Sequence, residues 1–246
     1  MATPQKVALV TGSATGVGRA CAVRFAQLGY AVTVNYSKSK AEAEETLALV
    51  AACGVPALLC HATVADDAQV KQMVAQTAAT FGRLDVLVNN AGMTHFVAHT
   101  DLDALTESVW DEIYQVNVKG AFYCIRAAMP MLQAAQGNIV NITSVAGLTG
   151  MGSSIPYAAS KAALNCVTQS LARAFGPAVR VNAVAPGPIL TRWLEGREAH
   201  IQKYLDQAPL GRAATPDDIA DTVIYLASGT TLTTGQVLVV DGGRTS

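Results

Sequence analysis

The stretch VALVTGSATGVGRA (Val7–Ala20) opens on four apolar residues, Val7–Val10, turns through Gly12 and resumes as a helical pattern from Val17. A strand, a glycine-rich turn and a helix start make a phosphate-binding βα unit. Glycines let the backbone turn tightly and approach a pyrophosphate at the helix N-terminus. Gly12, Gly16 and Gly18 stand in the spacing GxxxGxG rather than the commoner GxGxxG, with Thr15 and Val17 completing the turn. A strand-to-helix turn can need glycine for its own sake. The position of this one, in the first βα unit, favours nucleotide binding.

Working outward, short apolar runs keep alternating with longer helical patterns. Strands are expected at Val7–Val10, Ala31–Val34, Ala57–Cys60, Val86–Val88, Asn138–Ile142, Val179–Val184 and Gln236–Val240. Between them helices are expected at Val17–Leu28, Lys40–Ala52, Asp67–Thr80, Ser108–Leu132, Tyr157–Phe175 and Pro216–Leu226. Asp66 is placed to cap the third helix, with Gln69 three residues on. Near-continuous apolar strands separated by helices imply a parallel sheet covered on both faces. The chain therefore reads as α/β, a single doubly wound Rossmann domain over residues 1–246 with a seven-stranded parallel sheet. Two connections are longer than usual, Ser144–Pro156 and Pro186–Pro209. Both follow strands, so both belong at the carboxyl edge of the sheet, where open α/β folds bind ligands.

Composition narrows the class further. Of 246 residues, 51% are hydrophobic and 14% charged, and the net charge is −1. A substantial core is implied, and no basic footprint for nucleic acid. Five scattered cysteines without a CxxC pair point to reduced thiols in a cytoplasmic protein and to no metal site. The N-terminal apolar run is too short for a signal segment, and no stretch reaches the roughly 20 apolar residues of a membrane span.

Cofactor choice is set after the second strand. An NAD site places an Asp or Glu there for the ribose 2′-hydroxyl. Here the strand ends in VNYSKSK, with Asn35, Tyr36, Ser37 and Lys38 at the candidate positions and no carboxylate. Ser37 and Lys38 can donate to a 2′-phosphate, so NADP(H) is expected over NAD(H).

Six motifs stand in order along the chain: TGSATGVG (11–18), NNAG (89–92), Asn117 in VNVKG, Ser144 in NITSVAG, YAASK (157–161) and APGPILT (185–191). In kind, order and spacing they resemble the short-chain dehydrogenase/reductase family, nearest to its 3-oxoacyl-carrier-protein reductases. The resemblance covers essentially the whole chain. It implies alcohol/carbonyl interconversion with an NAD(P) cofactor, and a homotetramer. The helices after Asn117 and after Tyr157 carry a second apolar face that a partner subunit would cover.

Tyr157 and Lys161 are four residues apart on a helix and share a face. A neighbouring ammonium favours the phenolate, and acid/base work near neutral pH wants a phenol brought down to about 7–8 from its usual value of about 10. The resemblance makes Tyr157 the proton donor to the substrate oxygen and gives Lys161 the nicotinamide ribose as well. It selects Ser144, over Thr143, Ser153 and Ser154, to hydrogen-bond the same oxygen. Asn117 would hold a water that relays protons to Lys161. Asn90 and Gly92 would line the adenosine ribose, and Pro186, Gly187, Ile189 and Thr191 the nicotinamide. Two departures matter. The adenine contact falls to Thr63 and Val64 in place of an aspartate, and Thr15 stands where a basic residue is common.

The substrate walls are expected from His95, Phe96, Leu148, Met151 and Trp193, the last on a lid over 188–209. Carrier-protein reductases of this family present docking arginines where this chain has Ala135 and Ala178. Electrostatic docking of an acidic carrier should then be weak. The leading expectation is an NADP(H)-dependent reductase of a free small-molecule ketone or aldehyde, with the 3-oxoacyl-carrier-protein reductase as the alternative. A non-catalytic NADP sensor is a second alternative, disfavoured because all four catalytic positions are filled.

Overall fold

In the computed structural model of the protein, which describes residues 5–192, 202, 204 and 206–246, strands and helices alternate along the chain. The strands are β1 (Val7–Val10), β2 (Ala31–Tyr36), β3 (Ala57–His61), β4 (Val86–Asn89), β5 (Asn138–Ile142), β6 (Arg180–Pro186) and β7 (Val237–Val240). The helices are α1 (Gly16–Gln27), α2 (Lys40–Ala51), α3 (Asp67–Phe81), α4 (Glu107–Tyr114), α5 (Ala121–Ala135), α6 (Ala146–Thr149), α7 (Ile155–Phe175) and α8 (Pro216–Ile224). The strands form one sheet in the order β3-β2-β1-β4-β5-β6-β7, and every pairing is parallel. The doubly wound architecture expected from the sequence is the one observed. No helix among the described residues is long and apolar enough to cross a membrane.

The central strands are buried on both faces, and alternate side chains of one strand feed two cores. Val10, Val34, Val88 and Val140 pack with Phe25 and Ala22 of α1 and Ile219 and Val223 of α8. Leu9, Leu87 and Ile139 pack with Met73 of α3 and Ile125 and Leu132 of α5. This two-sided burial is why the strands read as unbroken apolar runs.

The expected element boundaries hold to within a residue or two, with one informative exception. The helical pattern over Ser108–Leu132 is not continuous. It breaks into α4 and α5 around a π-helical turn, Gln115–Gly120, that carries Asn117. A single inserted turn of this kind shifts the side chains beyond it around the helix axis. α3 is capped as expected, Asp66 accepting the N–H groups of Ala68 (2.8 Å) and Gln69 (3.2 Å). Gln69 does not return to the N-cap N–H. Its amide oxygen accepts the Thr63 N–H (3.0 Å) and its amide nitrogen donates to Asp66 (3.0 Å), which shapes the turn at Thr63 and Val64.

Between β1 and β4 the strand order reverses, and the loops there are tied by side chains. Asn35, at the end of β2, is 1% exposed. Its Oδ1 accepts the Gly12 N–H (3.0 Å), and its Nδ2 donates to the carbonyls of Cys60 (3.3 Å) and Ala62 (3.0 Å). One side chain thus holds the glycine turn and the end of β3 in register. Asn35→Asp keeps the acceptor and sets a carboxylate against two carbonyls. It is expected to lower the unfolding free energy by about 2 kcal/mol, read as a lower urea midpoint at unchanged slope; an unaltered midpoint would remove Asn35 from this role.

Candidate active site

The switch point opens a cleft of about 1600 Å³ along the carboxyl edge of the sheet. Its floor at one end is the glycine turn. Gly12 and Gly16 adopt φ of +61° and +57°, the left-handed region that side chains disfavour. A Cβ on Gly12 would lie 3.0 Å from the Ala91 Cα, and one on Gly18 would lie 2.5 Å from the Gly12 carbonyl and the Asn90 Nδ2. No side chain caps the start of α1, so its N-terminal dipole faces the cleft without a protein anion. A turn too crowded for any Cβ, at an uncapped helix start, fits a dinucleotide diphosphate.

Almost all residues expected to hold a cofactor converge here. Gly12, Thr15, Gly16, Val17, Tyr36, Ser37, Lys38, Thr63, Val64, Asn90, Gly92, Pro186, Gly187, Ile189 and Thr191 line the cleft together with Tyr157 and Lys161. Gly18 does not; it is packed under the turn. Asn90 works mainly through its side chain, which donates to the carbonyls of Thr11 (2.9 Å) and Gly12 (3.0 Å) and so braces the turn from β4.

The opposite end gathers the catalytic candidates. α7 starts at Ile155, two residues before the expected start, because Ser154 caps it by accepting the Tyr157 N–H (3.4 Å). Ser144, just past β5, lines the cleft with Tyr157 and favours the ionised phenol. Its Oγ is held by the Ala146 N–H (3.1 Å) and reaches the Pro186 carbonyl (3.5 Å). Lys161 is 4% exposed; its ammonium donates to the Ile142 carbonyl (2.9 Å) and lies 5.7 Å from the centroid of the Tyr157 ring. Gly92 keeps the space beside it open, since a Cβ there would stand 3.5 Å from the Lys161 Nζ and 3.4 Å from the Asn117 Oδ1.

The electrostatics differ from the sequence expectation. Burial pushes the Tyr157 phenol up to about 12, opposed in part by the Ser144 hydrogen bond. Burial brings the Lys161 ammonium down to about 8. The expected lowering of the phenol by the lysine is therefore overridden in the protein alone, because desolvation of both groups disfavours both charged forms.

Asn117 is buried in the π-helical turn. Its side chain is spent on protein: Oδ1 accepts the Met93 N–H (2.9 Å), and Nδ2 donates to the Met93 carbonyl and the Ser160 hydroxyl (3.0 Å each). Ser160 in turn donates to the Tyr157 carbonyl (2.7 Å). Asn117 thus fixes the loop after β4 and, through Ser160, the turn carrying Tyr157. Sequence reading passed over Ser160, which only its burial marks out.

On the substrate side, Phe96 and Met151 line the cleft, whereas His95 and Leu148 do not. His95 turns outward to the Glu112 carboxylate of α4 (2.9 Å). Trp193 and half of the expected lid lie outside the described residues. His99 lines the cleft unannounced by any motif, with a buried Nε2 that has no partner among the described residues.

Comparison with known proteins agrees with this geometry along almost the whole chain. A family model described as enoyl-(acyl carrier protein) reductase matches residues 12–245. The chain is 46% identical over 241 residues to "Granaticin polyketide synthase putative ketoacyl reductase 2" of Streptomyces violaceoruber, covering 96% of this chain and 95% of that one. It is 41% identical over 242 residues to the 3-oxoacyl-[acyl-carrier-protein] reductase FabG of Staphylococcus aureus, with 97% of each covered. Among solved structures it resembles "a putative short-chain dehydrogenase/reductase from Burkholderia xenovorans" at a TM-score of 0.94 and 35% identity, with 99% of both chains covered. With the glycine turn and the cleft in place, the chain belongs to the short-chain dehydrogenase/reductase family, the NAD(P)(H)-dependent oxidoreductases of carbonyl and alcohol groups.

Proposed function

We propose that the protein reduces 3-oxoacyl thioesters to 3-hydroxyacyl thioesters with NADP(H). What supports the reaction class is that Ser144, Tyr157 and Lys161 line the same cleft that holds the glycine turn. Two hydroxyl residues in one cleft suit an oxygen, hence a C=O rather than a C=C bond. The relatives named for 3-oxoacyl and ketoacyl reduction weigh for the thioester, and so for the alternative set out above rather than for a free ketone or aldehyde. Ala135 and Ala178 still lack the charge that would steer an acidic carrier, so the reading extends to thioesters that come without one. Tyr36, Ser37 and Lys38 at the end of β2, with no carboxylate among them, support NADP(H). The exposed Phe122 on α5, and Leu238 and Val239 on β7, fit a homotetramer. The absence of disulfides among the five cysteines fits the cytoplasm.

In this reading the substrate carbonyl lies against Tyr157 and Ser144. When bound, the dinucleotide supplies the hydride. Tyr157 delivers its phenolic proton to the carbonyl oxygen, and Ser144 donates a hydrogen bond to that oxygen as negative charge gathers on it. Lys161, near its midpoint at about 8, is charged at pH 7 and eases loss of the phenolic proton. Asn117 and Ser160 hold the turn that aims Tyr157.

Three outcomes are expected. A panel of acetoacetyl thioesters, carrier-bound and on coenzyme A, run beside simple ketones with NADPH and NADH, should give the highest kcat/KM for a thioester with NADPH; a simple ketone turned over as well as any thioester would overturn the substrate reading. Tyr157→Phe should lower kcat by at least about 100-fold with NADPH affinity unchanged in calorimetry. Lys161→Met should abolish turnover yet stabilise the ligand-free fold. The sign follows from linkage: the folded protein holds an ammonium whose pKa is depressed to about 8, so the destabilisation is full below pH 8 and is relieved as pH rises toward the unfolded value of about 10.4. The gain at pH 7 should be about 2–3 kcal/mol and should shrink above pH 8, measured by denaturant unfolding across pH.

A further inference from the structure

Two arginines stand near the β2 end of the cleft, and they are used differently. Arg19 is consumed by the fold. Its Nε donates to the Ala14 carbonyl (3.1 Å) and to Thr46 (2.8 Å), and its terminal nitrogen to the Glu42 carbonyl and the Glu45 carboxylate (2.9 Å each). Arg192, directly after Thr191 in the loop that follows β6, is held loosely. Its side chain is 52% exposed, and its two terminal nitrogens lie 3.5 and 3.4 Å from the Ser39 Oγ. Among the described residues its nearest carboxylate is Glu42, at 3.9 Å. The guanidinium therefore spans the mouth of the cleft, from the β6 loop to the turn that carries Ser37, Lys38 and Ser39, and all four residues line that cleft.

The charges around this point make the contact more than a surface bond. The start of α2 carries three carboxylates. Lys40 pairs with Glu44 and Arg19 with Glu45, both at 2.9 Å, which leaves Glu42 to Arg192. An anion entering beside Ser37 and Lys38 would meet Glu42 unless Arg192 stood between them. A guanidinium offers a flat, two-pronged donor set matched to phosphate oxygens. Its present bonds to one hydroxyl are long and solvent-exposed, so little is lost when a phosphate takes their place.

We infer that Arg192 is a specificity residue for the cofactor's 2′-phosphate, closing over it from the β6 loop while Ser37 and Lys38 hold it from the β2 side. The inference rests on the NADP(H) reading. It adds an arm to the phosphate pocket from the opposite side of the switch point, and it couples cofactor choice to the loop that leads into the substrate side. In the enzyme, Arg192 contributes to discrimination between NADPH and NADH and takes no part in proton transfer.

The test is calorimetric titration of the intact protein with 2′,5′-ADP and with 5′-ADP, which isolates the 2′-phosphate without turnover. The wild type should bind 2′,5′-ADP more tightly. Arg192→Ala should weaken 2′,5′-ADP by about five- to tenfold and leave 5′-ADP within about twofold. Arg192→Lys, which keeps the charge and loses the fork, should fall between them. Thermal melts of the ligand-free variants should match the wild type, as expected for an exposed side chain. A wild type that does not distinguish the two nucleotides would overturn the NADP(H) reading itself. A wild type that distinguishes them, with Arg192→Ala distinguishing them equally well, would overturn the role of Arg192 alone, as would an equal loss for both nucleotides.

Discussion

Strands β1 and β4 lie side by side yet hand their chains to opposite faces of the sheet, and the backbone exposed where they part has to be hydrogen-bonded to something. In this protein it is bonded to side chains. Thr11 Oγ1 accepts the N–H groups of Asn90 and Ala91 (3.0 Å each), Asn90 reaches back to the carbonyls of Thr11 and Gly12, and Asn35 takes the Gly12 N–H. With these bonds made, the glycine turn is rigid before any ligand arrives. The first N–H groups of α1 then point into the cleft without an internal anion. The diphosphate end of the site follows from that one arrangement.

The catalytic end follows from a second constraint, burial of a charge. Lys161 lies almost fully inside the protein with a single carbonyl partner from β5. A buried ammonium destabilises the fold at neutral pH, and under the role proposed for Lys161 this is a stability–function compromise localised to one residue. The same low-dielectric surroundings hold the Tyr157 phenol protonated. That suits the proton-donor role proposed for it. The two groups lie close enough for any further positive charge in the cleft to act on both.

Much of this was legible in the chain. Apolar runs separated by helical patterns identify a doubly wound parallel sheet, since only strands buried on both faces lose the alternation of polar and apolar residues. The glycines of the turn were legible because positive φ and close packing leave glycine little competition. Tyr157, Lys161 and Ser144 were legible as a set through motif order. The break of the helix at Asn117 was not, because residues on both sides of the π-helical turn favour a helix and only the tertiary bonds to Met93 and Ser160 stabilise the irregular turn. His95 looked like a substrate contact from its place after NNAG, but a surface carboxylate on α4 draws it outward.

The sequence by itself determined the class of fold, the family, and which residue types stand ready for hydride and proton transfer, because those depend on local pattern and spacing. The tertiary structure decided how those groups are tuned and which others join them. The opposed shifts of Tyr157 and Lys161 are desolvation effects, and burial exists only once β5, β6 and α7 have packed. The use of Asn117 and Ser160 as braces, and the reach of Arg192 to Ser39, join residues from separate elements. Such contacts depend on where the chain returns in space, and spacing along the sequence carries no record of that.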